Sequence, residues 1–92
     1  MSTTAVVSKD QLVHIGPAVV YSVLAGGTSN PGTATIYDGE NENGRKAIFV
    51  EYAQNTSGLW QSPVGTKFLN GIYVDVDATT TTVTVEYEPL PF

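Results

Sequence analysis

The chain has 92 residues, no cysteine and a formal net charge of −5, which limits it to one small domain without disulfides or thiolate metal sites. Nine carboxylates against four basic side chains argue against nucleic acid as a partner. The N-terminus lacks a secretory signal, and no segment has the roughly 18 consecutive apolar residues of a membrane helix. We therefore expect a protein made in the cytoplasm that does not bind membranes.

The residue types favour β-strands throughout. Only 14% of the residues are charged, 41% are hydrophobic, and valine and threonine are abundant. No apolar period of about 3.6 residues persists over the ~11 residues of a typical helix. The sequence therefore predicts an all-β fold, a single-domain antiparallel β-sandwich or jelly roll of roughly seven to eight short strands.

The first third of the chain contains an uncertain segment and two strands. Residues 1–11, which include the apolar Val6 and Val7, are interpreted as an N-terminal arm or an edge strand, and residues 12–88 as the β-sandwich domain. Residues 12–15 form a short predicted strand. Residues 18–25 form a predicted strand with Val19, Tyr21 and Val23 on one face and Val20, Ser22 and Leu24 on the other. Apolar side chains on both faces favour a central position in a sheet.

The middle of the chain predicts a hairpin followed by a looser stretch. Residues 33–38 and 46–52 alternate as strands around the polar segment 38–44, which is expected to be a fully solvated turn. Residues 54–65 contain glycine and proline and predict at most one short strand. Residues 66–69 predict another short strand.

Residues 68–88 predict two alternating strands joined as a hairpin around a threonine-rich turn. Ile72, Val74 and Val76 share one side of the first strand, and Asp75 and Asp77 share the other. With Glu86 across the predicted hairpin, these two aspartates would form a cluster of like charges. Such a cluster is hydrated, paired with a basic residue of a neighbouring subunit, or bound to a metal ion. We favour a solvated face first and a salt bridge to a neighbouring subunit next.

Reactive groups are sparse. His14 is the only histidine and has no nucleophile or acid beside it in sequence, so we expect no enzyme and no cofactor. Asp38, Glu40 and Glu42 stand at alternate positions and suggest calcium ligands, but their spacing fails the EF-hand pattern. A solvated turn is favoured, and an irregular calcium site stays open.

Several apolar or aromatic residues are candidates for contacts with other molecules. Trp60 lies in a glycine-containing segment and is either a core plug or an interface anchor. Residues 89–92 form an extended C-terminal tail with the apolar Leu90 and Phe92. Tyr37 and Tyr73, with Trp60, offer stacking surfaces for a carbohydrate-binding or adhesin module.

Two segments resemble small β-rich virion structural proteins of tailed bacteriophages. They are TATIYDGENENGRKAIF, residues 33–49, and FLNGIYVDVDATTTTVTVEYE, residues 68–88. The matching motifs are Ile-Tyr-Asp-Gly at residues 36–39 and Asn-Gly-Ile-Tyr-Val-Asp-Val at residues 70–76. The resemblance extends over residues 18–88.

The resemblance implies a capsid decoration or cement protein on the outer capsid surface of a virion. Such a protein would clamp adjacent major capsid proteins, with a homotrimer favoured and with residues 1–12 and 89–92 as contact arms. Other virion components, such as a head fibre, tail or connector protein, remain alternatives. The expected subunit or capsid contacts are Val6, Val7, Trp60, Asp75, Asp77, Leu90 and Phe92.

Overall fold

The computed structural model describes residues 2–26, 31–76 and 82–91. Within these ranges the chain forms eight strands and no helix, which confirms the all-β prediction. The loop predicted at 26–32 and the threonine-rich turn fall largely on residues 27–30 and 77–81, outside the described residues. The strands are β1 (Thr3–Val7), β2 (Gln11–Ile15), β3 (Ala18–Gly26), β4 (Gly32–Asp38), β5 (Arg45–Tyr52), β6 (Ser57–Phe68), β7 (Gly71–Val76) and β8 (Thr82–Pro89).

The strands form two four-stranded antiparallel sheets. Sheet A has the order β1-β8-β3-β6, and sheet B has the order β2-β7-β4-β5. The pairs β4–β5, β3–β6, β2–β7 and β1–β8 nest around one another, so the chain resembles a long hairpin folded over itself. Further pairings, β3–β8 and β4–β7, join neighbouring turns of that ribbon. This strand order is that of a jelly roll.

The core lies between the two sheets and consists of aliphatic side chains with a few aromatic rings. Phe68 and Ile36 are among its largest fully buried side chains. Burial of each such side chain contributes about 1.5–3 kcal/mol relative to exposure. The buried cluster comprises Val7, Ala18, Val20, Val23, Ala25, Ala34, Ile36, Ile48, Val50, Tyr52, Phe68, Ile72, Val74, Val83 and Val85.

The hairpin predicted for residues 68–88 is wrong, although its pattern of faces is right. Ile72, Val74, Val83 and Val85 are all fully buried, as the alternation predicted. However, β7 pairs with β2 and β4 in sheet B, whereas β8 pairs with β1 and β3 in sheet A. Alternation fixes which face of a strand is apolar but not which strand is its partner. The structure buries the two apolar faces by placing them in opposite sheets.

Strand β6 is longer than the sequence predicted. It runs over 12 residues, from Ser57 to Phe68, and absorbs the segment that predicted at most one short strand. Pro63 has no N–H group to donate to a neighbouring strand. It is tolerated in β6 because this strand lies at the edge of sheet A. Four of its residues, 62–65, stand opposite Tyr21 alone, because Val20 pairs with Thr66 and Ser22 pairs with Gln61.

The same irregularity changes the faces of β3. Strict alternation predicted that Val19, Tyr21 and Val23 share one face. Instead Val20 and Val23 are both fully buried, because the register shifts between Val20 and Ser22 in both of the ladders that β3 forms. The predicted central position is confirmed, since β3 lies between β8 and β6.

Other local predictions are confirmed. Strands β4 and β5 form the predicted hairpin. Of the two interpretations of the N-terminal segment, the structure has the strand: β1 pairs only with β8 and lies at the edge of sheet A. No helix among residues 2–26, 31–76 and 82–91 is long and apolar enough to cross a membrane.

Candidate interaction site

An apolar row crosses the outer face of sheet A. Val6 of β1 stands opposite Thr84 of β8, Thr84 stands opposite Leu24 of β3, and Leu24 stands opposite Leu59 of β6. These four residues, which we call the apolar row, therefore lie side by side across all four strands, a distance of about 14 Å. Val6 is 67% exposed, Leu24 43% and Leu59 59%. Adjacent exposed aliphatic side chains of this kind mark interaction surfaces more often than isolated ones do.

Polar side chains border the apolar row on both sides. A parallel row lies two residues away from the apolar row along each strand, where the register aligns Thr4, Glu86, Ser22 and Gln61. On the other side it aligns Thr82, Gly26 and Ser57, where a shallow hollow of about 190 Å³ lies next to Leu24. An apolar centre with a polar rim is the usual anatomy of a protein–protein interface.

A polar cleft lies beside the apolar row, over the bulge of β6. Its volume is about 370 Å³, and it is lined by Tyr21, Ser22, Gln61, Ser62, Pro63 and Glu86. Two of the four β6 residues opposite Tyr21, Ser62 and Pro63, line one side of the cleft. The cleft is thus a product of the irregular β3–β6 ladder rather than of any contiguous motif.

Gly65 allows the Tyr21 ring to lie beneath the bulge. Its backbone has a φ of +82°, and a Cβ atom there would lie 2.1 Å from Val19 Cγ1 and 3.0 Å from Tyr21 Cε1. Both the positive φ and the close packing exclude a larger residue without rearrangement. The glycine therefore positions the aromatic wall of the cleft.

Hydrogen bonds hold the carboxylates of this face in place. The Tyr21 hydroxyl donates to Glu88 Oε1 at 3.0 Å. Glu86 accepts from the hydroxyls of Ser22, at 3.4 Å, and Ser2, at 3.2 Å. The hydrogen bond to Glu88, together with burial and the charges of Glu88 and Glu86, raises the pKa of Tyr21. A hydrogen bond with the N-terminal ammonium lowers the pKa of Glu88. The cleft is therefore rich in fixed acceptors, and Glu86 gives it a negative charge.

The outer face of sheet B has a different character. The rings of Tyr37 and Tyr73 pack with their centroids 6.3 Å apart. Near them, the carboxylate oxygens of Asp10, Glu42 and Asp75 lie within 4.8 Å of one another. Burial, then the charge of Asp10 and a hydrogen bond with it, raise the pKa of Asp75. This face is acidic, and its carboxylates repel one another.

The turn predicted to be fully solvated contains a buried carboxylate. Asp38 is only 4% exposed. It accepts the backbone N–H groups of Leu69 and Asn70, at 3.1 and 2.8 Å, and its Oδ2 lies 3.4 Å from Arg45 Nη2. The calcium interpretation is therefore wrong for Asp38, because its oxygens are already engaged by the β6–β7 connection.

The other two predicted calcium ligands, Glu40 and Glu42, differ in their surroundings. Glu42 joins Asp10 and Asp75 in the acidic group of sheet B, whereas Glu40 is exposed in the turn. The predicted cluster of Asp75 with Glu86 is wrong as well, because these residues lie in different sheets. Asp77 lies outside the described residues.

The predicted contact residues occupy very different environments. Val6 is part of the apolar row, but Val7 is 1% exposed and belongs to the core. Trp60 is partly buried and packs against the core. Leu90 is partly buried, and its N–H donates to the carbonyl of Pro17 at 3.0 Å. Phe92 lies outside the described residues.

The residues singled out for catalysis or sugar stacking do not converge. His14 Nε2 lies 3.2 Å from the Pro17 carbonyl oxygen, and its ring packs 5.6 Å from that of Tyr87, so its contacts are to backbone and to an aromatic ring. Tyr37 is only 8% exposed. Trp60 belongs to the other sheet, so the three proposed stacking residues do not form one site.

Comparison with known proteins adds no family. No protein-family model matches the chain, and no curated protein matches its sequence. The candidate interaction site therefore rests on its own geometry. Sequence reasoning missed Leu24, Leu59, Tyr21 and the role of Glu86, because their alignment follows from the register of separate strands.

Proposed function

We propose that this protein is a non-enzymatic structural protein of a bacteriophage virion. It decorates and stabilises the outer capsid surface by binding adjacent major capsid proteins, and it works as a homo-oligomer. The motif resemblance of residues 33–49 and 68–88 supports the virion assignment. The single observation that carries the binding role is the apolar row on sheet A.

The apolar row supports an assembly role because its aliphatic side chains are accessible and close together. Leu24 and Leu59 lie side by side, and Val6 lies in the same row beyond Thr84. These three side chains are between 43% and 67% exposed. At about 25 cal/mol per Å² of apolar surface, covering a few hundred Å² of this face would contribute several kcal/mol to binding. A domain of this size gains usefully from such burial, because its own core is small.

The two outer faces support one orientation on the shell. Sheet A presents the apolar row, whereas sheet B carries the close group of Asp10, Glu42 and Asp75. Mutually repelling carboxylates are more stable in water than in an interface. We therefore assign sheet A to the shell and sheet B to the solvent.

The jelly-roll topology is compatible with this proposal but does not carry it. Jelly rolls occur in viral capsid domains and also in lectins and cupins. A fold shared by these classes does not assign a function by itself. The proposal therefore depends on the surface and on the sequence motifs.

Binding to capsids tests the proposal directly. Purified protein is mixed with capsids of the encoding phage that lack it, and the bound fraction is measured by co-sedimentation. We expect saturable binding, and a reduction of about fivefold or more in affinity for Leu24→Ser, because loss of a central apolar contact costs roughly 1–3 kcal/mol.

A matched variant on the opposite sheet provides the control. Phe49 of β5 is 58% exposed, close to the exposure of Leu59, so Leu59→Ser and Phe49→Ser remove comparable exposed apolar groups from opposite faces. Only the sheet A variant should weaken binding. Absence of binding by the wild-type chain would refute the decoration role, and labelled copies found on the tail would assign it elsewhere in the virion.

A further inference from the structure

We propose that the polar cleft beside the apolar row binds an arginine side chain of the protein that covers sheet A. This inference rests on the proposed function, because it names the chemistry of the partner at the same face. It concerns a second contact, however, which is electrostatic and is made by residues outside the apolar row. Tyr21, Glu86, Gln61 and Pro63 would form it.

The cleft offers acceptors to a group rich in donors. Each oxygen of the Glu86 carboxylate already accepts one serine hydroxyl, Oε1 from Ser22 and Oε2 from Ser2. A carboxylate has about four lone-pair sites, so both oxygens retain capacity for a further donor. The two serine contacts also fix the orientation of the carboxylate. A guanidinium presents two parallel N–H donors that match such a carboxylate.

The walls of the cleft fit a flat cation. Tyr21 supplies an aromatic ring, and Pro63 supplies an apolar surface on the β6 side. The ring is held by the hydroxyl bond to Glu88 and by its packing against Gly65. A guanidinium stacks on aromatic faces and tolerates partial burial better than an ammonium does. A volume of about 370 Å³ exceeds what one arginine side chain needs.

The charge beside the cleft also favours a cationic ligand. The strands of sheet A contain two carboxylates, Glu86 and Glu88, and one basic residue, Lys67. Lys67 aligns with Val19 and Glu88, in a different row from Glu86. A hydrogen bond with the N-terminal ammonium lowers the pKa of Glu88, so a cation already balances that carboxylate. The row that contains the cleft has no basic side chain, and its carboxylate, Glu86, accepts serine hydroxyls rather than a cation. A neutral sugar would use the same hydroxyl and amide groups but would leave this charge unmatched.

An NMR titration with small probes tests the inference without a capsid. N-acetyl-arginine amide is the probe, and N-acetyl-citrulline amide, which is neutral and nearly isosteric, is its control. We expect saturable shifts of the backbone amides of Tyr21, Ser22, Gln61, Ser62 and Glu86 with the arginine probe. Citrulline should bind about fivefold or more weakly, since it lacks the charge.

Two variants separate this inference from the proposed function. Glu86→Gln keeps the shape of the cleft and should weaken arginine binding about fivefold, whereas Glu51→Gln on sheet B should not. Leu24→Ser should weaken capsid binding but leave the arginine titration unchanged. If Leu24→Ser weakens capsid binding and no arginine-specific shift occurs, the inference fails while the proposed function stands.

Other outcomes would overturn the inference as well. Equal shifts with arginine and citrulline would show that charge is not recognised. Shifts with a neutral trisaccharide such as maltotriose but none with arginine would assign the cleft to sugars. Arginine binding that is unchanged by Glu86→Gln would place the ligand elsewhere on the surface.

Discussion

Asp38 joins two turns of the jelly roll, and its replacement by alanine should be the most costly substitution among the acidic residues described. The side chain is 3% exposed and lies at the end of β4. Its oxygens accept the N–H groups of Leu69 and Asn70, which connect β6 in sheet A with β7 in sheet B. Asp38→Ala would leave both donors without this acceptor.

The expected loss follows from these contacts. A hydrogen bond to a charged group contributes about 1.5–3 kcal/mol, so two such bonds set an upper range of roughly 3–6 kcal/mol. Leu69 and Asn70 are exposed residues, and water will replace part of the loss. We therefore expect Asp38→Ala to lower the free energy of unfolding by about 2–4 kcal/mol, a large fraction of the ~5–14 kcal/mol of a domain this size.

Urea unfolding followed by the fluorescence of Trp60, the one tryptophan of the chain, measures this loss. Glu40→Ala, an exposed acid in the same turn, is the control and should change the free energy of unfolding by less than about 0.5 kcal/mol. Arg45→Ala should cost at most about 1 kcal/mol, because Arg45 is 66% exposed. A cost for Asp38→Ala below 1 kcal/mol, or equal to that of Glu40→Ala, would refute the reasoning.

Three further substitutions test separate parts of the structure by the same unfolding assay. Val7→Ala should lower the free energy of unfolding by about 1–3 kcal/mol, and Val6→Ala by less than about 0.5 kcal/mol. The reason is that Val7 is 1% exposed and Val6 is 67% exposed. Equal effects of the two substitutions would contradict the position of β1 in the sandwich. Gly65→Ala should cost about 1–3 kcal/mol because its φ is +82° and its Cβ would meet Val19, and a neutral effect would contradict that packing. Burial and Asp10 raise the pKa of Asp75, so this residue contributes a loss of stability to the wild-type protein as pH rises from the ordinary aspartate range through the raised value. Asp75→Asn should remove this loss, so its stability relative to the wild type should rise between pH 3 and pH 7; a stability difference that shrinks with rising pH would contradict the sign.

The faces of strands could be predicted from the sequence, but their partners could not. Ile72 and Val74 are buried as the alternation of β7 required, since side-chain direction is a local property of a strand. The pairing of β7 with β4 instead of β8 depends on how two sheets cover each other. That choice involves residues far apart in the chain, which no local pattern specifies.

Two features of the candidate site depend on the same long-range register. The apolar row unites Val6, Leu24 and Leu59 from three separate strands, and each of them alone is an ordinary exposed aliphatic residue. The cleft arises because β6 inserts four residues opposite Tyr21. Polar composition also misled the interpretation of Asp38, because a turn residue can be buried when the backbone donors of another turn approach it.

A cryo-electron microscopy map of capsids carrying this protein tests the central claim most directly, because it shows which face meets the shell. The account predicts that the jelly roll lies on the outer surface with Val6, Leu24 and Leu59 against the major capsid protein, and with Asp75 toward solvent. Density in which sheet B contacts the shell and the apolar row faces water would contradict it.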